Sequence, residues 1–127
     1  MDVSYRLLHG ILPVNGRLAR FGLRVQANCP VCPGVDETIL HLFASCPRVA
    51  DIWQPLLASL LHYTGPLADE DILLLAWPRV ARDEDLAVTL ITYHHLAWST
   101  RSAARPPDFA AFTAALRAKP APFTPLW

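Results

Sequence analysis

The segment Cys29-Pro-Val-Cys32, followed by His41 and Cys46, contains every cysteine of the chain. Its spacing is C-x2-C-x8-H-x4-C. Thiolate and imidazole are ligands that Zn²⁺ prefers, and four of them complete a tetrahedral structural site with no open position. We therefore predict one structural zinc ion bound by these four residues. Three buried free cysteines beside an incidental histidine are the competing interpretation, but this does not explain why all cysteines cluster in this order.

The spacing within the cluster also predicts local structure. The first two ligands lie in a segment with two prolines and a glycine, which favours a tight turn. His41 and Cys46 lie five positions apart on a short predicted helix, which Asp36 or Thr38 can cap. In a strict α-helix five positions separate two side chains by about 140° of azimuth. We therefore expect the helix to end at or just before Cys46, so that this thiolate can turn toward the metal.

The rest of the chain is predicted to be helical, because apolar residues recur with helical period and no alternating strand pattern is found. The predicted helices cover about 7–11, 14–21, 38–45, 47–64, 72–77, 86–104 and a last one from 106 onward. We expect Gly22 to cap the second of them and Pro55 to kink or restart the fourth. The predicted fold class is all-α: a small helical domain with a CCHC zinc-stapled turn in its N-terminal third. We expect residues 1–118 to form one zinc-containing domain, with the zinc-binding part at 5–53, and residues 119–127 to form a proline-rich extended tail.

Charge and composition exclude several classes of protein. The chain has 127 residues and a formal net charge of zero, from eleven basic and eleven acidic residues. A globally basic nucleic-acid binder is excluded, but a local basic face is not. An odd cysteine count argues against a secreted disulfide framework, and no signal peptide or membrane-spanning run is found. We expect an intracellular protein, in the nucleus or cytoplasm, that is not secreted and has no membrane partner.

A local basic face is predicted next to the zinc turn. No acidic residue occurs between positions 3 and 35, and Arg17, Arg20 and Arg24 recur at helical spacing within that stretch. Together with Arg48, which follows the last zinc ligand, they are candidates for contacts with nucleic-acid phosphates. A solvated helix face is an equally good interpretation of the same arginines, and the sequence leaves both open.

Aromatic and histidine residues outside the cluster receive structural interpretations. Phe21 and Phe43 can stack on bases as in zinc knuckles, but their helical spacing favours burial, and we expect both in the core. The remaining histidines are interpreted as core or surface residues without a functional role; they are His9, His62, His94 and His95.

No catalytic arrangement is found in the sequence. The thiolates are assigned to zinc, no Ser/His/Asp or Cys/His arrangement has a credible base, and a glycine-rich phosphate loop is missing. The acidic triplets at 69–71 and 83–85 are interpreted as charges at helix starts. We therefore expect a non-enzymatic protein without a small-molecule substrate.

The zinc spacing is embedded in a longer pattern that resembles a known family. The stretch from Tyr5 to Trp53 resembles the zinc-binding domain that follows the polymerase region of non-LTR (LINE-type) reverse transcriptases. The run Glu-Thr-x-x-His-Leu-Phe-x-x-Cys-Pro at 37–47 is its most specific part, and a later helix with Trp98 and Arg101 is loosely similar to that family's closing helix. The other matching segments are 7–13, 17–23, Cys29-Pro-Val-Cys32 and Trp53.

The resemblance implies attachment to a larger polyprotein that copies its RNA at a nicked DNA target. In such a protein the domain is expected to help engage template RNA or target DNA. The chain contains no aromatic-x-Asp-Asp polymerase motif, so we expect a fragment, a decayed copy or a domesticated descendant. The alternative is an interaction or scaffold domain whose apolar helices pack on the parent polymerase or on a second copy.

Overall fold

Four helices and two short helical turns make up the described part of the chain. The computed structural model describes residues 12–23, 26–64, 84–101 and 106–119. The α-helices are α1 (Asn15–Arg20), α2 (Ala50–Thr64), α3 (Glu84–Ser99) and α4 (Phe109–Arg117). Between α1 and α2 lie a π-helical turn at His41–Ser45 and a 3₁₀ turn at Pro47–Val49. Within the described ranges, β-structure is limited to an isolated antiparallel bridge between Asn28 and Asp36.

The all-α class predicted from the sequence is confirmed, with differences in detail. Gly22 has φ +79°, and the amides of Gly22 and Leu23 close the end of α1 on the carbonyls of Ala19 and Leu18, which is a Schellman cap. Pro55 does not restart its helix, because α2 runs through it from residue 50 to residue 64. The predicted helices at 7–11 and 72–77 and the tail lie outside the described residues, apart from the exposed Lys119.

The core lies where α2, α3 and α4 meet the π-helical turn. Trp53 of α2 stacks on Tyr93 of α3 with ring centroids 5.4 Å apart, and Phe112 of α4 meets Tyr93 edge-on at 6.1 Å. These three rings are fully buried. The phenol of Tyr93 also donates a hydrogen bond to the backbone carbonyl of Phe43 in the π-helical turn. The segment that carries the last two predicted zinc ligands is therefore packed directly on the central helix α3.

The apolar residues of α2 are buried in this core. Four residues of α2 are fully buried and two are partly buried against the same cluster; they are Ile52, Trp53, Leu56 and Leu60, and then Leu57 and Leu61.

None of the helices in the described part of the chain has both the length and the apolar character of a membrane span.

Candidate metal centre

The four predicted ligands come together in space. One donor atom from each of Cys29, Cys32, His41 and Cys46 lies within 4.8 Å of the other three. The Sγ of Cys46 is 3.9 Å from that of Cys29 and 3.6 Å from that of Cys32. Two sulfurs that share one tetrahedral zinc at about 2.3 Å lie about 3.8 Å apart, so the sulfur spacing fits zinc.

The imidazole of His41 supplies independent support for a metal. Its Nε2 atom is buried and has no hydrogen-bond partner within the described structure. Buried polar atoms are otherwise almost always paired, and a metal ion satisfies such a nitrogen. The donor set, three thiols and one imidazole, is that of a closed structural zinc site. The cluster is therefore placed for zinc binding.

A π-helical turn lets His41 and Cys46 face the same site, although they lie five positions apart. The amide of Cys46 donates to the carbonyl of His41 at 2.7 Å, which is the i→i+5 bond of a π-turn. Because this turn holds more residues than an α-turn, positions five apart come closer to one face. Cys46 itself leaves the helix with extended backbone, φ −66° and ψ 129°. The expected ending of the helix before Cys46 is confirmed, but the wide turn that precedes it was not predicted.

The helix that carries His41 begins on the residue pair Glu37–Thr38. The hydroxyl of Thr38 accepts a hydrogen bond from the amide of His41 at 3.1 Å, so Thr38 is the N-cap and not Asp36. On the other side of the ion site, the Cys29 amide donates to the Val35 carbonyl at 2.7 Å and closes the loop of the first two ligands. Both halves of the cluster are thus held by local hydrogen bonds.

Burial shifts the pKa values of two of the four predicted ligands, Cys32 and His41. Burial, with further contributions from Cys46 and Cys29, raises the pKa of the Cys32 thiol to about 12. Burial lowers the pKa of His41, and the charge of Glu37 opposes this only in part. His41 is therefore a neutral imidazole at pH 7, the form that binds metal. Thiols that coordinate zinc are deprotonated, so metal binding here releases protons.

A buried carboxylate ties the metal cluster to α1 and to the segment that follows α3. Glu37 is fully buried, and its carboxylate accepts hydrogen bonds from the Arg101 guanidinium and, at 2.6 Å, from the Asn15 amide that begins α1. The Asn15 side chain in turn donates to the Asn28 carbonyl at 2.8 Å, next to the first ligand. Gly16 donates to the Glu37 carbonyl at 3.0 Å. This network explains why a glutamate precedes Thr38 in the sequence pattern.

Arg48 does not join a phosphate-binding surface, contrary to the sequence-based expectation. It is 9% exposed, and its guanidinium donates to the carbonyls of Ala97 at 2.9 Å and Thr100 at 2.7 Å. These carbonyls lie at the C-terminal end of α3, where helix carbonyls lack partners and favour a cation. Arg48 is therefore a capping residue of α3 that holds it against the metal segment.

The remaining predicted arginines lie on or beyond α1. Arg20 is exposed and Arg17 is half-buried, and both line a groove of about 770 Å³ between α1 and the segment 36–40. Arg24 lies outside the described residues. Asp36 also lines this groove, as does Glu37, whose charge is compensated by Arg101.

The two phenylalanines have different environments. Phe43 is fully buried, as expected, but Phe21 is 67% exposed, so its predicted burial is wrong. The Gly22 cap ends α1 directly after Phe21, which leaves no following turn to cover the ring. The guanidinium of Arg17 lies over it, 4.8 Å from the ring centroid. Among the histidines, His94 is in the core and His95 is exposed, whereas the side chains of His9 and His62 are not described.

Sequence reasoning missed the role of two residues at this site. Glu37 and Arg101 both occur in the family resemblance, but 64 positions separate them, and nothing in a single sequence pairs them. One local feature of the sequence could have pointed to Glu37: it is an acidic residue next to a capping threonine, within an otherwise apolar pattern.

Comparisons with known proteins agree with this geometry. Residues 3–53 match a family described as zinc-binding in reverse transcriptase. A segment of 59 residues is 42% identical to a transposon TX1 uncharacterized 149 kDa protein of Xenopus laevis. That segment is 46% of this chain and 4% of the Xenopus protein. The matches support a reverse-transcriptase zinc-binding domain in residues 3–53, as predicted from the sequence.

No solved structure matches the chain.

Proposed function

We propose that this chain is the structural-zinc module of a retroelement reverse transcriptase, non-catalytic in itself, which assists the binding of template RNA or target DNA. The observation that carries the proposal is the position of α1. This helix presents Arg17 and Arg20 on a groove and is tied through Asn15 to the carbonyl of Asn28, beside the first metal ligand. In this proposal the zinc ion has no chemical role, and its four ligands, Cys29, Cys32, His41 and Cys46, fix the surface that carries the arginines.

Charge supports a contact with phosphates at this surface. Arg17 and Arg20 lie one helical turn apart, and a side chain that is exposed or half-exposed can reach a phosphate without breaking the core. Arg24 extends the same series in the sequence. The acidic groups on the groove are Asp36 and Glu37, of which Glu37 is neutralised by its ion pair with Arg101.

A salt titration of nucleic-acid affinity tests the proposal. The zinc-loaded protein is mixed with a labelled single strand, and the dissociation constant is measured by fluorescence anisotropy at several salt concentrations. Three phosphate contacts on a single strand predict a slope of log K against log salt of about −2. The double variant Arg17→Gln/Arg20→Gln is expected to lower the steepness of that slope by about 1.4.

Two further variants sharpen this test. Asp36→Asn removes the acidic side chain that shares the groove with the arginines, and we expect it to strengthen binding. Arg117→Gln removes an exposed arginine from α4, outside the groove, and is expected to leave the affinity unchanged. Absence of binding at low salt, with zinc bound, contradicts the proposal.

The alternative function, an interaction domain without nucleic-acid contact, is supported by a different set of residues from the one expected. The apolar side of α2 is buried in the core and is not free to pack on a partner. Among the described residues, most of the exposed large apolar side chains lie instead near α1 and the metal loop; they are Phe21, Leu23, Val31, Val35 and Leu40, while Ile91 lies apart from them on α3. Docking on the parent polymerase, or self-association, would use these residues. A salt-independent complex with the polymerase portion, together with the absence of RNA and DNA binding, would favour this alternative.

A further inference from the structure

We infer that the end of α1 recognises single-stranded nucleic acid by stacking an unpaired base on Phe21, with Arg17 and Arg20 contacting the adjoining phosphates. The inference rests on the proposed function and adds to it the form of nucleic acid and the residue that selects it. Phe21 is an exposed aromatic ring, and the helical pattern of the sequence does not predict that exposure.

The exposure of Phe21 is built into the fold. Gly22, at φ +79°, reverses the chain immediately after the ring, and the Leu23 amide bonds back to the Leu18 carbonyl at 3.3 Å. The carbonyls at the end of α1 are thereby satisfied by backbone amides, so no helix continues past Phe21. The ring is left 67% exposed and Leu23 55% exposed at one end of the helix.

Arg17 connects this ring to the groove. Its guanidinium lies 4.8 Å from the centroid of Phe21, and the same side chain lines the groove with Arg20. A planar cation over an aromatic ring is a surface on which nucleic-acid bases stack, and the positive charge attracts the backbone that links them. Phosphate contacts and a stacking platform thus lie within two turns of one helix.

The chemistry of the platform selects single strands. In a duplex both faces of each base are covered by neighbouring base pairs, so an exposed ring gains nothing unless it intercalates. An unpaired base has free faces, and stacking on an aromatic side chain is tolerant of base identity. The charge of this region favours nucleic acid as the occupant over a protein surface that has few acidic residues. The sequence between residues 3 and 35 contains four arginines and no acidic residue.

The experiment compares three probes of one sequence, about 12 nucleotides long, which is within the site size of single-strand binders. The probes are single-stranded RNA, single-stranded DNA and the DNA duplex. The variant is Phe21→Leu, which keeps an apolar side chain but removes the ring, and the control is Leu23→Ala, which removes a neighbouring exposed apolar side chain. Because Phe21 is mostly exposed, the variant is expected to retain zinc content and helical circular dichroism, and both are measured.

We expect the native protein to bind at least one of the two single strands more tightly than the duplex. Phe21→Leu should weaken that binding about tenfold, since stacking contributes on this order per base, and should leave duplex affinity unchanged. Leu23→Ala should have little effect on any probe. Whether RNA or DNA is preferred is decided by the two single-strand arms.

Three outcomes overturn the inference, and they are distinguishable. Equal affinity for single strand and duplex, or a Phe21→Leu variant that binds as the native protein does, refutes stacking while phosphate binding stands. Absence of binding to every probe at low salt refutes the proposed function together with the inference. A native protein that self-associates through this surface, with sedimentation of Phe21→Leu shifted to monomer and nucleic-acid affinity unaltered, assigns the surface to protein contact.

Discussion

The fully buried carboxylate of Glu37 is paired with the guanidinium of Arg101, a residue 64 positions further along the chain. Glu37 lies one residue before the cap of the helix that carries His41, and Arg101 lies two residues after the end of α3. The pair therefore joins the metal segment to a part of the chain outside the residues 3–53 that match the zinc-binding family.

Removal of Arg101 should destabilise the protein strongly. Arg101→Met leaves the Glu37 carboxylate buried without its cation, which costs about 3–5 kcal/mol for a buried pair. We expect a value near the lower end, because Arg101 itself is 21% exposed. The free energy of unfolding of the zinc-loaded protein in urea measures the effect, and Arg117→Met on the exposed end of α4 is the control.

A second substitution identifies the cause of that loss. Glu37→Gln in the Arg101→Met background removes the unpaired charge while keeping an acceptor for the Asn15 amide. The double variant should be more stable than Arg101→Met alone. If the losses in unfolding free energy from the two substitutions simply add, Glu37 and Arg101 do not act as a buried ion pair.

Zinc should be required for folding. One zinc per chain is expected in purified protein, and a chelator should abolish most helical circular dichroism, because binding energy at a structural site is folding energy. Cys46→Ser should lose both metal and structure, whereas Ser45→Ala, at the exposed neighbouring position, should lose neither. A metal-free protein with unaltered helix content would refute the structural role of zinc.

The family-matched region should not be sufficient for a stable metal site. A fragment that ends after residue 64 lacks α3 and Arg101, and with them the acceptors of the Arg48 guanidinium and the cation that pairs with Glu37. It also lacks Tyr93, whose phenol bonds to the Phe43 carbonyl. We expect such a fragment to bind zinc more weakly than the full chain, as measured by competition with a chromophoric chelator. Equal affinity would show that the metal segment folds independently of α3.

Stability should fall at alkaline pH through Tyr93. Burial raises the pKa of this phenol above its usual value near 10, so the folded state retains a proton that the unfolded state loses. The contribution of Tyr93 to the free energy of unfolding is therefore complete below about pH 10 and declines as the pH rises above that value. Unfolding free energies measured from pH 8 upward should show this decline for the native protein.

The variant Tyr93→Phe isolates that effect. It should cost about 1–3 kcal/mol at neutral pH, because the Phe43 carbonyl loses its donor in a buried site. Above pH 10 the free energy of unfolding of this variant should also decline less steeply than that of the native protein. Identical alkaline profiles for the two proteins would exclude Tyr93 as the titrating group.

The sequence was sufficient to predict the helical class, the metal cluster and the Gly22 cap, because each depends on spacing within a few residues. The Cys-x-x-Cys turn and the glycine after α1 are local signals with a direct steric cause. The π-helical turn was not predictable from helical periodicity, since its wider geometry is stabilised by packing of Phe43 against α3 and by the ligand positions at its two ends. Burial of Arg48 and exposure of Phe21 likewise depend on which distant surfaces meet.

The hydrogen bonds from Arg48 to Ala97 and Thr100 have a consequence for how the chain is made. Thr100 is synthesised 52 residues after Arg48, and at about 5–20 residues per second this takes roughly 3 to 10 seconds. All four metal ligands leave the ribosome during that interval without the helix that packs on them. The nascent cluster is thus expected to exchange its metal readily until α3 arrives, and its final retention is decided by the later half of the chain.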